Sequence, residues 1–202
     1  MKKLLILLTV VFMIAGCGAV TKMGVNKTNM SKAFDPATVN RVAIVDFDKN
    51  VGIDYHTDII ADKFTAELVD SKIFALMDRN DIKKVMYEVG FQQKSSLSGI
   101  LNDATLQRLS AMGADSILTG NLVTYIQNER NGFILNSEVH LIAKLIKIES
   151  GEVIWSSEMQ KRSRSNKSAD AELAEVMLSD LITKMSKPLK KESMLKKSLK
   201  FF

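Results

Sequence analysis

The chain has 202 residues, a formal net charge of +5, one cysteine and two histidines, and it is 46% hydrophobic and 25% charged. This length suits one domain of ordinary size with its own core. A single cysteine excludes an intramolecular disulfide framework and a cysteine-rich zinc module, and two histidines argue against a histidine-rich catalytic metal site.

The N-terminus has the pattern of a bacterial export signal. The basic start MKK is followed at residues 4–15 by an apolar run that only Thr9 interrupts. The run is shorter than the ~20 residues that span a bilayer, and it fits the apolar region of a signal peptide. It ends in IAGC, which resembles the lipobox of lipoproteins, where the cysteine becomes the acylated (for example palmitate-bearing) first residue. We therefore expect a signal peptide at 1–16 and lipidation of Cys17; an ordinary signal peptide with an incidental cysteine is the alternative.

The positive charge is concentrated at the two ends of the chain. Residues 187–202 contain six lysines and one glutamate, whereas residues 17–186 contain 20 basic and 22 acidic residues. A body without excess positive charge is poorly suited to phosphate backbones, so no nucleic-acid partner is expected. The basic tail is either a solvated end or an amphipathic segment on anionic lipid, to which Arg162, Arg164 and Lys167 could contribute.

Composition and periodicity divide the rest of the chain. Residues 17–40 are polar and aperiodic, which predicts a lipidated tether; residues 41–186 form the predicted domain and 187–202 a basic tail. Apolar runs predict strands at 42–45, 73–77, 116–126, 134–148 and 152–160, the last two joined at Ser150-Gly151, with a basic loop at 161–167. Helices are predicted after Thr57, from Asn80 or Asp81, after Asn102 and from Ser168.

This order, β-α-β-α-α-β-β-β-α, predicts an α/β fold: a mixed parallel and antiparallel sheet of about five strands with three to four packed helices. Gly113 is expected to end a helix, and Gly120 to mark a close backbone approach. Trp155 is expected in the core or sheet, with a partner contact as the alternative.

Several stretches, taken in order, resemble one family: VAIVDFDKN (42–50), IADKFTAELVDSKIFALMDRNDIKKVM (60–86), LSAMGADSILTGNLVTYI (109–126), VHLIAKLIKIESGEVIWSSEM (139–159) and the closing helix near 171–185. They resemble the curli-secretion channel subunits (CsgG-like lipoproteins), whose relatives include the LpoB-type peptidoglycan-synthase activators and the N-terminal domain of TolB. The resemblance implies a periplasmic domain that binds protein partners or itself.

The chain departs from both groups of relatives. Channel members carry two long membrane hairpins, and a membrane strand needs ~9–11 residues. Residues 125–136 are too few and too charged for two such strands, and after Met159 the chain passes through QKRSRS towards the last helix. Channel formation is therefore not expected. LpoB-type activators have a long proline-rich tether, whereas this one is short, which favours a partner at the membrane.

Acidic residues after the first predicted strand raise two chemical alternatives. Asp46 and Asp48 have the spacing of a magnesium-dependent phosphatase of the haloacid-dehalogenase type, but Lys49-Asn50 replaces the usual Gly-Thr. Asp54 and His56 could complete a divalent-cation site with them. A solvated loop is the favoured interpretation, and His140 is expected to be structural. No catalytic, cofactor-binding or metal-binding residue and no small-molecule substrate is predicted.

The sequence thus predicts a non-enzymatic lipoprotein that faces the periplasm and has no cofactor. Gly18 follows the cysteine instead of the Asp that resembles an inner-membrane retention signal, so the outer membrane is expected. The leading hypothesis is an accessory component of an envelope secretion or assembly system, acting through a protein partner or self-association. The alternatives are an activator of a peptidoglycan synthase and a metal-dependent phosphatase using Asp46 and Asp48.

Overall fold

The computed structural model describes residues 20–32, 34, 38–69, 73–88, 103–164 and 171–190. Its elements are β1 (Val20–Met30), β2 (Arg41–Ile44), β3 (Asp48–Lys49), α1 (Asp58–Val69), β4 (Ala75–Leu76), α2 (Arg79–Glu88), α3 (Asp103–Ala111), β5 (Ser116–Arg130), β6 (Phe133–Lys147), β7 (Val153–Arg164) and α4 (Ala174–Ser186).

The strands form one mixed sheet in the order β1-β7-β6-β5-β2-β4, and β3 lies alongside β5. β2 is parallel to β4 and β5, whereas β5, β6, β7 and β1 form an antiparallel series. Helical crossovers connect the parallel strands, and hairpins connect β5, β6 and β7, as the order of apolar runs predicts. The α/β fold with a mixed sheet and packed helices is confirmed, with two more strands than expected.

Helices cover one face of the sheet over most of its strands and the other face over fewer of them. α1 and α4 pack on the first face over a core that includes the wholly buried Trp155, Phe47 and Phe64, the two phenylalanine rings lying 5.3 Å apart. α2 and α3 pack on the second face beside β2 and the start of β5, around Val45 and Ile117. Among the described elements, no helix covers this second face over β6, β7 and β1.

Residues 20–30 differ from the expectation of a tether. They form β1, which pairs antiparallel with β7 from Val20 opposite Arg164 to Met30 opposite Trp155. The segment VTKMGVNKTNM has no apolar alternation because it is an edge strand whose polar residues meet solvent, and a register shift between Met23 and Asn26 interrupts it. The sheet therefore begins only three residues after Cys17.

The predicted basic loop at 161–167 is wrong for its first half. β7 continues to Arg164, and within it Lys161 and Ser163 are buried towards α4. The last helix begins at Ala174, with Leu173 in the capping position, instead of after Ser168, which lies outside the described residues. A buried lysine in a serine-rich stretch hides the strand from a hydrophobicity pattern.

Turn chemistry decides several element ends. α2 begins one residue before the predicted start because Asp78 caps it, its Oδ1 accepting the N–H of Asn80 at 2.7 Å. Gly113 terminates α3 two residues beyond Ala111, as predicted: its φ is +90°, and Ala114 N–H donates to the carbonyl of Leu109 at 3.0 Å. The β6–β7 hairpin is confirmed, but residues 148–152 connect the strands.

Candidate interaction surface

Asp46, the proposed phosphatase nucleophile, is held in an ion pair. Arg79, at the start of α2, contacts the Asp46 carboxylate and also Asp62 at 3.1 Å, while its Nη1 donates to the carbonyl of Ile44 at 2.6 Å. Arg79 therefore joins the end of β2 to α1 and α2, and this carboxylate has a structural partner. Asp48 lies in β3, where burial raises the pKa of its carboxyl.

The four residues of the alternative metal site do not converge on one point. Asp54 and His56 are exposed in the loop before α1, whereas Asp46 is engaged by Arg79. Within the described ranges, no three side chains of His, Cys, Asp or Glu are grouped so as to hold a metal ion. The geometry favours the solvated-loop interpretation.

A network of tyrosines and one glutamate joins that loop to the helices. The rings of Tyr55 and Tyr125 lie 4.4 Å apart, and both hydroxyls donate to Glu175 Oε2, at 2.8 and 3.4 Å. Lys63 contacts the other oxygen of Glu175 at 2.9 Å. Burial raises the pKa of Tyr125 to about 12; burial alone would raise the pKa of Glu175, but hydrogen bonds from Lys63 and Tyr55 lower it. The sequence gives no signal for this network, because its members are distant along the chain.

A second network surrounds the buried end of Lys161. Its ammonium contacts the carboxylates of Glu172 at 2.6 Å and Asp180 at 3.0 Å. Asp180 also accepts a hydrogen bond from Lys184 at 2.9 Å. Burial alone would lower the pKa of Lys161, but the hydrogen bonds that its ammonium donates to the two carboxylates raise it. These contacts hold α4 to β7, so this positive charge is structural and is not available to a partner.

The uncovered part of the second sheet face carries a ladder of polar side chains. We call it the open face; it consists of Lys27 of β1, Glu138, His140, Ile142 and Lys144 of β6, and Glu158, Gln160 and Arg162 of β7. The members on β6 and β7 are partly or fully exposed, whereas their strand neighbours on the opposite face are buried; on edge strand β1, Lys27 and its neighbours are all exposed.

Cross-strand pairs organise the open face. His140 Nε2 lies 3.0 Å from Glu158 Oε1. Gln160 donates to Glu138 at 2.7 Å, and Arg162 contacts the same carboxylate at 2.9 Å. The contact with Glu158 fits the expectation of a structural histidine. A rigid sheet face with charges of both signs is suited to polar contact with another protein.

Other predicted positions are accounted for by packing. Trp155 is wholly buried, so its alternative role as a partner contact is wrong. Gly120 is confirmed as a close approach: a Cβ there would lie 2.0 Å from the carbonyl oxygen of Ile142. Of the basic tail, residues 187–190 are described; Leu189 is buried and Lys190 pairs with Glu67. Cys17 and residues 191–202 lie outside the described residues.

None of the described helices is long and apolar enough to cross a membrane. The fold and the open face define the class of the molecule: an α/β domain that presents a polar sheet face and no recognisable catalytic constellation among its described residues.

The family model "Peptidoglycan-synthase activator LpoB" matches residues 50–160, more than half of the chain. The chain therefore belongs to the LpoB family. Comparison with curated protein sequences finds no match.

Solved structures share the fold at low sequence identity. PelC from Paraburkholderia phytofirmans, solved as a dodecamer, is 15% identical over 86% of this chain and 100% of its own, with a TM-score of 0.56. Lipoprotein GNA1162 from Neisseria meningitidis is 14% identical over 73% of this chain and 99% of its own, with a TM-score of 0.53. The C-terminal domain of LpoB from Salmonella enterica is 14% identical over 60% and 81%, with a TM-score of 0.43. These comparisons do not support the expected resemblance to CsgG-like channel subunits.

Proposed function

We propose that this protein is a lipid-anchored, periplasm-facing activator of a peptidoglycan synthase, which acts by protein contact and not by catalysis. The family match over residues 50–160 carries the proposal. It reverses the order expected from the sequence, in which an activator was the alternative to an accessory component of a secretion system.

The open face is the proposed contact with the synthase. The matched region includes β5, β6 and most of β7, and therefore all of the open face except Lys27 and Arg162. The opposite face of these strands is buried under α1 and α4 and cannot reach a partner. A binding surface on strands is also held more rigidly than one on loops, which favours specific recognition.

The anchor limits where the synthase must be met. With lipidation at Cys17 and a sheet that begins at Val20, only Gly18 and Ala19 separate the acylated residue from the fold. β5 has 15 residues, so the longest dimension of the sheet is about 50 Å at ~3.3 Å per residue. The synthase must therefore present its contact site within about 50 Å of the membrane that holds the lipid, which we propose to be the outer membrane.

The test is the rate of glycan polymerisation by synthases of the same organism, measured on the lipid-linked disaccharide-peptide precursor with and without this protein. We expect stimulation by the native chain and its loss in Lys144→Glu, because Lys144 lies on the open face. Lys83→Glu is the matched control, since it makes the same charge change on the exposed side of α2. If the native chain stimulates none of the synthases, the function is refuted; if Lys144→Glu stimulates fully, only the proposed surface is refuted.

A role as an assembled accessory component remains the second candidate. PelC, whose fold this chain shares, was solved as a dodecamer. The mass of the native protein, extracted in mild detergent and measured by light scattering, separates the two candidates. A large, discrete homo-oligomer would favour a ring that supports another envelope machine. A monomer, or a complex with one second protein, would refute the ring and favour the activator.

A further inference from the structure

We propose that the end of the β5–β6 hairpin is a second membrane contact, which lies against the phospholipid headgroups beside the acylated N-terminus. The hairpin end comprises residues 128–135 and is completed by the start of α4. The proposal rests on the lipid anchor at Cys17, which is part of the proposed function, and extends it by stating how the domain is oriented on the bilayer.

Strand register places the anchor and the hairpin at the same end of the sheet. Val20 of β1 lies opposite Arg164 of β7, Arg164 lies opposite Asn136 of β6, and Asn136 lies opposite Asn128 of β5. One row of four residues thus crosses the sheet from the start of β1 to the base of the hairpin end. The acyl-bearing end of the chain leaves the fold from this row.

Two lengths bring the lipid and the hairpin to the same level. Three Cα–Cα steps of ~3.8 Å separate residue 17 from Val20, so the acylated residue lies within about 11 Å of the row. The hairpin extends beyond the row by three residues, from Asn128 to the turn at Asn131, which is about 10 Å at ~3.3 Å per residue. A bilayer that holds the acyl chains must therefore lie close to the hairpin turn.

The hairpin end has the side chains that suit a membrane interface. Phe133 and Leu135 of the hairpin end, and Ile126 two residues before it, are large apolar residues that remain 41–43% exposed. Leu173 and Val176 are also exposed, and the start of α4 is fixed beside the hairpin because Ala174 N–H donates to Gln127 Oε1 at 3.1 Å. Exposed apolar side chains gathered at one end of a domain, next to an acyl anchor, are typical of proteins that lie on a bilayer.

Arginines complete this surface. Arg130 and Arg164 are exposed, and among the described residues neither takes part in an ion pair. Arg130 is the cross-strand partner of Phe133 beside the turn, so a basic and an aromatic residue are neighbours there. Arginine side chains bind phosphate with planar donor pairs and can lie along apolar surface, which is the combination that a headgroup layer offers a protein.

The test is a fluorescent probe of membrane depth on the native lipidated protein. Cys17 is the single native cysteine and has no free thiol once acylated, so an introduced cysteine is the one site for an environment-sensitive label. Leu135→Cys places the label on the hairpin end. Val153→Cys is the matched control, because Val153 is equally exposed (42%) but begins β7 at the opposite end of the sheet.

Both variants are reconstituted into vesicles of phosphatidylethanolamine and phosphatidylglycerol after mass spectrometry has verified lipidation and thermal melting has verified the fold. We expect blue-shifted emission at position 135, quenching by bromolipid and protection from aqueous iodide, with none of these at position 153. Arg130→Glu with Arg164→Glu should reduce the shift at 135.

Three results would overturn the proposal. A lipidated chain whose label at 135 is as open to iodide as the label at 153 would refute the hairpin contact alone. A label at 135 that is shielded from iodide but not quenched by bromolipid would show that protein, not lipid, covers the end. A chain without lipid on Cys17 would refute both the anchor and the orientation, while the synthase assay would still test activation separately.

Discussion

Gly120→Ala tests the packing at the centre of the sheet. The added Cβ would lie 2.0 Å from the carbonyl oxygen of Ile142 on β6 and 2.5 Å from Cε1 of Phe47. An ordinary contact needs more than 3 Å, so the two strands must separate by about 1 Å and the Phe47 ring must shift in its stack on Phe64. Overpacking a core typically costs about 1–3 kcal/mol, and a clash with backbone lies at or above the upper end of that range.

We therefore expect Gly120→Ala to lower the free energy of unfolding by about 3 kcal/mol or more. For a domain of this size, that corresponds to a fall in Tm of about 6–12 °C. Urea unfolding followed by the fluorescence of Trp155, the single tryptophan and wholly buried, measures the change.

Gly24→Ala is the matched control for that substitution. It lies on edge strand β1, and its nearest neighbour is the end of the flexible Gln160 side chain, which can move away. Both substitutions remove the same flexibility from the unfolded chain, so their difference reports the steric clash. We expect the control to stay within about 1 kcal/mol of the native chain. If Gly120→Ala is equally mild, the close approach of β5 and β6 is not as the structure has it.

Two further predictions concern charged groups. Hydrogen bonds from basic groups lower the pKa values of Glu67 and Asp180 below their ordinary values of 4.5 and 3.8. The stability that these carboxylates contribute is therefore present above the ordinary values and is lost as the pH falls through the lowered ones. We expect the urea concentration at the midpoint of unfolding to decrease when the pH is lowered below about 4, and to decrease less in Glu67→Gln. Arg79→Met should lower Tm more than Asp62→Asn, because Arg79 is mostly buried and its loss leaves Asp46 without a partner, whereas Asp62 is exposed. Asp46→Asn should leave any contaminating phosphoester hydrolysis in the presence of magnesium unchanged. Equal Tm values for Arg79→Met and Asp62→Asn, or hydrolysis that disappears in Asp46→Asn, would contradict the assignment of Asp46 to a structural ion pair.

The sequence predicts the buried elements of this fold well, because their apolar periodicity comes directly from the faces they bury. Gly113 and Gly120 are also predictable, since only a missing side chain satisfies a left-handed helix end or a backbone contact. β1 is not predictable in this way: an edge strand with polar residues is stabilised by backbone pairing, which leaves no side-chain pattern.

The candidate surface is harder to predict than the fold. Asp46 and Asp48 resemble a catalytic pair in the sequence, and only the folded position of Arg79, 33 residues away, identifies Asp46 as part of a structural ion pair. The basic stretch after Met159 suggests a charged loop, yet Lys161 is buried between two carboxylates of the last helix segment. Long-range pairing of charges is invisible to local patterns.

The orientation of α4 places Lys190, the last described residue, far from the hairpin end. α4 begins beside the hairpin end and runs for 13 residues, about 20 Å at ~1.5 Å per residue, before Lys190 pairs with Glu67 at the far end of α1. If the anchor and the hairpin lie on the membrane, the end of α4 and Lys190 lie on the side turned towards the periplasm. Four lysines follow Lys190 in the sequence, and a basic segment attached at that point favours a contact with an acidic envelope partner over a second contact with the same bilayer.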